Sequence, residues 1–118
     1  FTIQGENILH SVNKELFSWV IENLFKNSID AIGESGKIKI ILHKKSNKIL
    51  IDFIDNGTGI KNSNFRKIFN PGFTTKKRGW GLGLTLVHRI ITNYHNGKIF
   101  VLKSIKNVET IIRIEFKL

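Results

Sequence analysis

Apolar residues change their spacing in the first half of this chain, from that of a helix to that of a strand. The helical spacing predicts a helix over about 14–32. Two strands are predicted after it, at about 37–43 and 48–54, and the first of them begins with the strict alternation of Lys37–Ile40. A chain that makes this change is confined to folds in which helices cover a sheet. The helical stripe is carried by Phe17, Val20, Ile21 and Leu24.

The second half repeats this mixture of periods, after an extended opening at residues 1–3. A short helix, a second clear helix and two further strands are predicted at about 62–69, 82–95, 98–103 and 109–116. The sum predicts an α+β fold, a two-layer α/β sandwich with a mixed sheet and helices on one face.

Composition bounds the class of protein. The chain has 118 residues, which suits one domain over 1–118, and 41% of them are hydrophobic. It holds no Cys, which excludes disulfides, cysteine-bound zinc and a thiolate nucleophile. No apolar run approaches the roughly 18–20 residues of a membrane span. The chain begins at Phe1 and holds no Met, so we expect a fragment of a longer protein, cytoplasmic whether or not its parent is anchored in a membrane.

The net charge of +10 allows two interpretations. A basic surface can bind nucleic-acid phosphates without reading sequence. The same charge also follows from a chain rich in Lys, Ile and Asn. Because the cations are scattered through strands and loops without interleaved aromatic residues, we favour the compositional explanation and expect no nucleic-acid partner.

Asn23, Asn27 and Asp30 lie on the flank of the first helix, within about 60° of one another at 100° per residue. Amides beside a buried face cost stability unless something satisfies them. A Mg²⁺ ion is one such partner, since it takes few protein oxygens together with phosphate oxygens. A polar helix edge in water is the alternative, and this segment alone favours it.

The segment Asp55–Ile60 combines a carboxylate at a strand end with Gly57 and Gly59, which leave room for close approach to the backbone. Such a carboxylate can accept a hydrogen bond from the exocyclic amine of adenine, whereas guanine would present a carbonyl there. An ordinary Asp-Asn-Gly turn is the alternative.

Two glycine-containing segments follow, Phe69–Lys76 and Gly79–Leu84. The second opens a helix, where uncrowded backbone N–H groups form an anion site. Three cations precede it and could reach phosphates, although a solvated loop is the plainer explanation for them. Leu84 replaces the last glycine of a dinucleotide fingerprint, and neither a P-loop nor the eukaryotic protein-kinase motifs occur.

The order and spacing of these four segments resemble the N box, first glycine box, F box and second glycine box of the histidine-kinase catalytic domain. That family belongs to the GHKL superfamily, together with gyrase, MutL and a heat-shock chaperone. The resemblance extends from about residue 10 to the end of the chain, and it implies the Bergerat fold with ATP held between helices and a lid.

The resemblance also implies roles for residues at matching positions. Asn27 would bind Mg²⁺, with Asn23 in support near the phosphates, and Asp55 would bind the adenine amine. Thr110 would lie near the adenine, although Glu109 stands where the superfamily usually has Gly. Phe69 and Phe73 would anchor the lid, and Lys76 would approach the phosphates. The wider predicted ATP-binding set adds Asp30, Gly57, Gly59, Ile60, Thr74, Thr75, Gly79, Gly81, Leu82, Gly83 and Leu84.

The implied reaction passes the γ-phosphate to a histidine on a separate dimerisation domain, and then to an aspartate of a response regulator. Superfamily ATPases carry a water-activating Glu where this chain has Asn23, which favours a kinase over a hydrolase. Glu22 is rotated by about 100° from that position, and it remains a candidate base. A degenerate interaction module and a GHKL ATPase are the alternatives. None of the four histidines lies in a phosphoacceptor motif, so we expect a monomeric domain that binds Mg-ATP but hardly phosphorylates itself.

Overall fold

A computed structural model describes residues 2–5, 14–33, 35–71 and 83–117. Five strands and two α-helices make up most of this part of the chain. In chain order they are β1 (Thr2–Gly5), α1 (Lys14–Ile32), β2 (Ile38–Lys45), β3 (Lys48–Asp55), α2 (Gly83–Arg89), β4 (Lys98–Ile105) and β5 (Glu109–Lys117). Two 3-10 turns (Asn62–Asn64 and Lys67–Phe69) follow β3, and a π-helical turn (Ile90–Tyr94) continues α2.

The strands form one sheet in the order β1-β2-β3-β5-β4. β1 runs parallel to β2, and the other neighbouring strands are antiparallel. The prediction of a mixed sheet is therefore confirmed. β2 and β3 are joined by a two-residue turn, whose first residue, Ser46, has a φ of 57°. β4 is irregular between Val101 and Lys103.

Helix α1 occupies the predicted residues because its apolar stripe is buried against the sheet. Val20 and Leu24 are 0% and 1% exposed. Gly33 ends the helix with a φ of 66° and donates its N–H to the Ile29 carbonyl, in the left-handed conformation that glycine tolerates best.

The helices cover one face of the sheet, as predicted for a two-layer sandwich. Successive side chains of a strand point to opposite faces, so alternate strand residues meet the helices. The core between the layers includes Val87 and Ile91 from the α2 region, and Phe53, Ile114 and Phe116 from the strands. None of the helices in the described residues has the length and hydropathy of a membrane span.

Two predicted elements differ in detail. The single helix expected over 62–69 is replaced by the two 3-10 turns, closed by hydrogen bonds such as Asn64 N–H to the Lys61 carbonyl at 2.8 Å. Asn and Ser in the first of them favour such local bonds over a continuing helix. The helix expected over 82–95 widens at Ile90, where the His95 ring lies 3.0 Å from the Ile90 carbonyl.

Candidate functional site

Asp55 is the last residue of β3 and lies on the helix-covered face of the sheet. It is 7% exposed, and its Oδ1 accepts the N–H of Gly57 at 2.9 Å. Burial raises the pKa of the Asp55 carboxyl, and the hydrogen bonds from Gly57 and from the Ser28 hydroxyl partly oppose that rise. An ionised carboxylate has about four acceptor positions, so these two donors leave capacity for a ligand.

Ser28 is a site residue that the sequence analysis missed. It lies on α1, directly after Asn27, and is 5% exposed. The missed signal is its place in the buried stripe, because Val20, Leu24 and Ser28 are spaced four residues apart on one side of the helix. A hydroxyl at an apolar position needs a partner, and here that partner is Asp55.

The glycines after Asp55 allow the backbone to pass close to neighbouring elements. A Cβ on Gly57 would lie 2.4 Å from the Ala31 carbonyl oxygen, and Gly59 has a φ of 81°. Thr58, which lies between these two glycines, donates its N–H to the same Ala31 carbonyl at 3.1 Å. The sequence predicts that these glycines leave room for a ligand. The described contacts also give Gly57 a packing role against α1, and they place Gly59 against Ser104 and Lys106.

Thr110 joins this site from β5. It is 3% exposed and pairs in register with Asp55. Its hydroxyl lies 2.7 Å from that of Ser104, which in turn accepts the N–H of Ile60 at 2.8 Å. A side-chain network therefore fixes the segment after β3 against the β4–β5 hairpin, and Ser104 is a second residue that the sequence analysis did not identify.

The residues of the predicted polar flank all lie within helix α1. Asn23 and Asn27 are half-buried, whereas Glu22 and Asp30 are exposed. The Asn23 amide donates to the Trp19 carbonyl at 2.8 Å, which turns its oxygen away from the helix backbone. Amide oxygens are suitable ligands for Mg²⁺, which usually binds only one or two protein groups. Within the described ranges, no three His, Cys, Asp or Glu side chains form a metal-binding group.

The predicted lid lies only partly within the described residues. Phe69 ends the second 3-10 turn and Leu84 lies in α2, and both are half-buried against the core. The Thr85 hydroxyl donates to the Phe69 carbonyl at 3.0 Å, which ties together the two elements that precede and follow residues 72–82. Outside the described residues lie the predictions for Phe73, Thr74, Thr75, Lys76, Gly79, Gly81 and Leu82.

Residues 13–118 match the family described as histidine kinase-, DNA gyrase B- and HSP90-like ATPase. The chain belongs to this family. The resemblance stated from the four sequence segments is thereby confirmed at the level of the family, which also supports the class of ATP-binding domain.

Relatives of this ATPase family member are sensor kinases. The signal transduction histidine-protein kinase AtoS of Escherichia coli K12 is 43% identical over 86% of this chain and 17% of the relative. The sensor histidine kinase YvrG of Bacillus subtilis is 33% identical over 99% of the chain and 21% of the relative. The chain thus spans about a fifth of the curated relatives that it matches.

Solved histidine-kinase domains share the fold of this ATPase family member. The catalytic domain of ThkA, in a nucleotide-free form, superimposes with a TM-score of 0.87 at 32% identity, over 98% of this chain and 76% of that one. ThkA in complex with the response regulator TrrA gives a TM-score of 0.80 at 30% identity, over 98% of this chain and 33% of that one.

Proposed function

We propose that the chain binds ATP with Mg²⁺ and donates the γ-phosphate to a histidine on a separate dimerisation domain in two-component signalling. The observation that carries this proposal is Asp55, a buried carboxylate held by Gly57 and Ser28. It forms no ion pair with any residue in the described ranges. A fixed acceptor of this kind suits a neutral donor such as the adenine amine, and the charge-assisted bond is worth about 1.5–3 kcal/mol.

Helix α1 is one rigid element that carries residues for both the adenine site and the metal site. Ser28 donates to Asp55, and Asn27, the adjacent residue, offers an amide oxygen for Mg²⁺. When bound, Mg-ATP would supply the transferable phosphoryl group, and the metal would neutralise the developing charge. The chain then contributes orientation, with Asn23 in support near the phosphates and Lys76, Gly81 and Gly83 contacting them.

The residues near the predicted phosphates favour a kinase over a hydrolase. The position of the ATPase base holds Asn23, whose amide is hydrogen-bonded to Trp19 and cannot accept a proton as a carboxylate would. Glu22 is exposed, and we propose that it can act on the incoming histidine as a general base. Unchanged phosphotransfer by Glu22→Gln, with ATP binding preserved, would remove Glu22 from the mechanism.

The phosphoacceptor histidine is proposed to come from another domain. His43 lies 3.3 Å from Asp52, the His88 ring is tilted against that of Phe69, and His95 packs between Phe17 and Phe116. His10 lies outside the described residues. We therefore propose a monomeric cytoplasmic domain that acts on its own kinase's dimerisation domain, with a response regulator downstream.

Calorimetric titration with a non-hydrolysable ATP analogue and Mg²⁺ tests the nucleotide site. The wild-type chain is expected to bind, and Asp55→Ala should bind at least about tenfold more weakly because the adenine amine loses its charged acceptor. Thermal unfolding of the variant establishes that it is folded. Equal affinity of the two chains would overturn the assignment of Asp55.

Incubation of the chain alone with labelled ATP should leave it almost unlabelled.

A further inference from the structure

A cleft away from Asp55 opens between the second 3-10 turn, α2 and strand β4. Phe100 of β4 pairs with Arg113, which lies three positions along β5 from Thr110, or about 10 Å at the rise of a strand. The cleft is therefore separate from Asp55 and Thr110, and among the predicted ATP-binding residues it shares Phe69. It is lined by Phe65, Arg66, Phe69, Asn70, His88, Ile99 and Phe100.

The cleft reaches the edge of β4 and not merely one of its faces. Ile99 and Phe100 both line it, although consecutive strand residues point to opposite faces of a sheet. β4 is the last strand in the sheet formed by the described residues. Its outer edge therefore presents backbone groups that an added strand could pair with.

Protection of this edge is interrupted at the cleft. Proteins commonly block an edge strand with lysines and bulges. β4 has an exposed lysine at each end of this stretch, Lys98 and Lys103, and its pairing is irregular between Val101 and Lys103. The four residues between these lysines, Ile99–Leu102, carry no charge. This uncharged stretch includes the two strand residues that line the cleft, Ile99 and Phe100.

The chemistry of the cleft favours an anionic occupant with an apolar side chain. Three of the lining residues are Phe, and the Phe69 and His88 rings lie 5.5 Å apart. Arg66 is exposed, and its guanidinium forms no ion pair within the described part of the chain. Among the described residues that line the cleft, none is acidic, and the chain as a whole carries a net charge of +10.

We propose that this edge cleft binds an extended, acidic segment of a partner protein. The segment adds a strand to β4, inserts an apolar side chain among Phe65, Phe69 and Phe100, and pairs a carboxylate with Arg66. Backbone pairing gives such a contact affinity, and the pocket for alternate side chains gives it specificity. This inference goes beyond phosphoryl transfer and does not depend on the assignment of Asp55 as the adenine acceptor.

A blocked seven-residue peptide, Glu-Val-Glu-Phe-Glu-Val-Glu, tests the proposal by NMR with the ¹⁵N-labelled chain. Saturable shifts are expected in the amides of Lys98–Val101 and Phe65–Asn70. The matched peptide with Lys in place of Glu should give none. A third peptide, N-methylated at alternate residues, should bind at least about tenfold more weakly because it cannot pair with the strand edge.

Two charge-reversal variants make the test specific to the cleft. Arg66→Glu should weaken binding of the acidic peptide about tenfold or more, whereas Lys61→Glu, an exposed cation outside the cleft, should leave it nearly unchanged. Equal losses in both variants would reveal general charge attraction and overturn the proposal. It would also be overturned by the absence of saturable shifts, by full binding of the N-methylated peptide, or by concentration-dependent shifts of the same amides without peptide, which would make the occupant a second copy of the chain.

Discussion

Two buried aspartates lie three residues apart on β3, and they have opposite surroundings. Asp52 is 5% exposed and Asp55 is 7% exposed. An odd separation along a strand places their side chains on opposite faces of the sheet. Asp52 therefore faces away from the helices, and Asp55 faces towards them.

Asp52 is satisfied by the chain itself. Arg113 on the neighbouring strand donates to both of its oxygens, at 2.7 and 2.8 Å, and His43 lies 3.3 Å away. Asp52 in turn raises the pKa of Arg113, so the guanidinium remains charged. A bidentate pair of this kind holds β3 and β5 in register.

Asp55 is buried to a similar degree, and its donors among the described residues are neutral, namely the Gly57 N–H and the Ser28 hydroxyl. Burial of a carboxylate without a cation costs stability, and its raised pKa records that cost. The comparison gives a criterion that separates structural from functional acids, namely whether the chain supplies a cation for the buried carboxylate. A buried acid that the chain pairs serves the fold, and one left without a cation suits a ligand.

The largest effect on stability is expected from Asp52→Ala. Removal of the carboxylate leaves the half-buried Arg113 guanidinium without its partner, and we expect a loss of about 2–4 kcal/mol in the free energy of unfolding. Urea denaturation measures it. The double variant Asp52→Leu/Arg113→Met should recover most of the loss, because it leaves no unpaired charge. A loss below about 0.5 kcal/mol, the range of ordinary surface changes, would show that Asp52 is not the structural acid of the two.

The opposite result is expected from Asp55→Asn, which should weaken binding of the ATP analogue by about tenfold or more without lowering stability. The folded-state pKa of Asp55 lies above the ordinary value of 3.8. At pH values between the ordinary pKa and the folded-state pKa, the folded chain holds the Asp55 proton more tightly than the unfolded chain does. The stability of the wild-type chain therefore falls as pH rises through this window. Asn has no such titration, and the stability of the variant relative to wild type should increase across that window.

Urea denaturation of both chains from pH 3 to pH 7 measures this difference. It should grow as pH rises through the window above 3.8 and then stay level. A variant that loses stability at pH 7 while keeping nucleotide affinity would reverse the roles of the two aspartates.

The sequence could place Asp52 on a strand and Asp55 directly after it, but it could not assign their partners. Local periodicity predicts α1 and the strands because it depends on neighbours a few residues apart. Arg113 lies 61 residues from Asp52, and its role follows from the adjacency of β3 and β5, which no local pattern specifies. The same limit applies to Ser104, which reaches Ile60 across 44 residues.

The sequence predicts Asp55 as a ligand-binding residue because it lies between a strand and a glycine-rich segment, which is a local signal. Its strand extends one residue further than predicted, because Asp55 pairs with Thr110. The π-helical turn was not predicted, since an apolar pair such as Ile90 and Ile91 fits a helix of either width. Roles within the nucleotide site remain predictions.

The smallest effect is expected from Ser28→Ala, which removes one of the two neutral donors to Asp55. Without it, burial is opposed only by Gly57, so the pKa of Asp55 should rise further and stability at pH 7 should fall by about 1 kcal/mol. The loss should shrink as pH falls through the folded-state pKa, because the protonated acid needs the donor less. A carboxyl ¹³C titration and urea denaturation measure the two effects. Ser18→Ala, an exposed serine on the same helix, should change neither. If both serine variants behave alike, Ser28 does not stabilise the Asp55 carboxylate, and α1 is not coupled to Asp55.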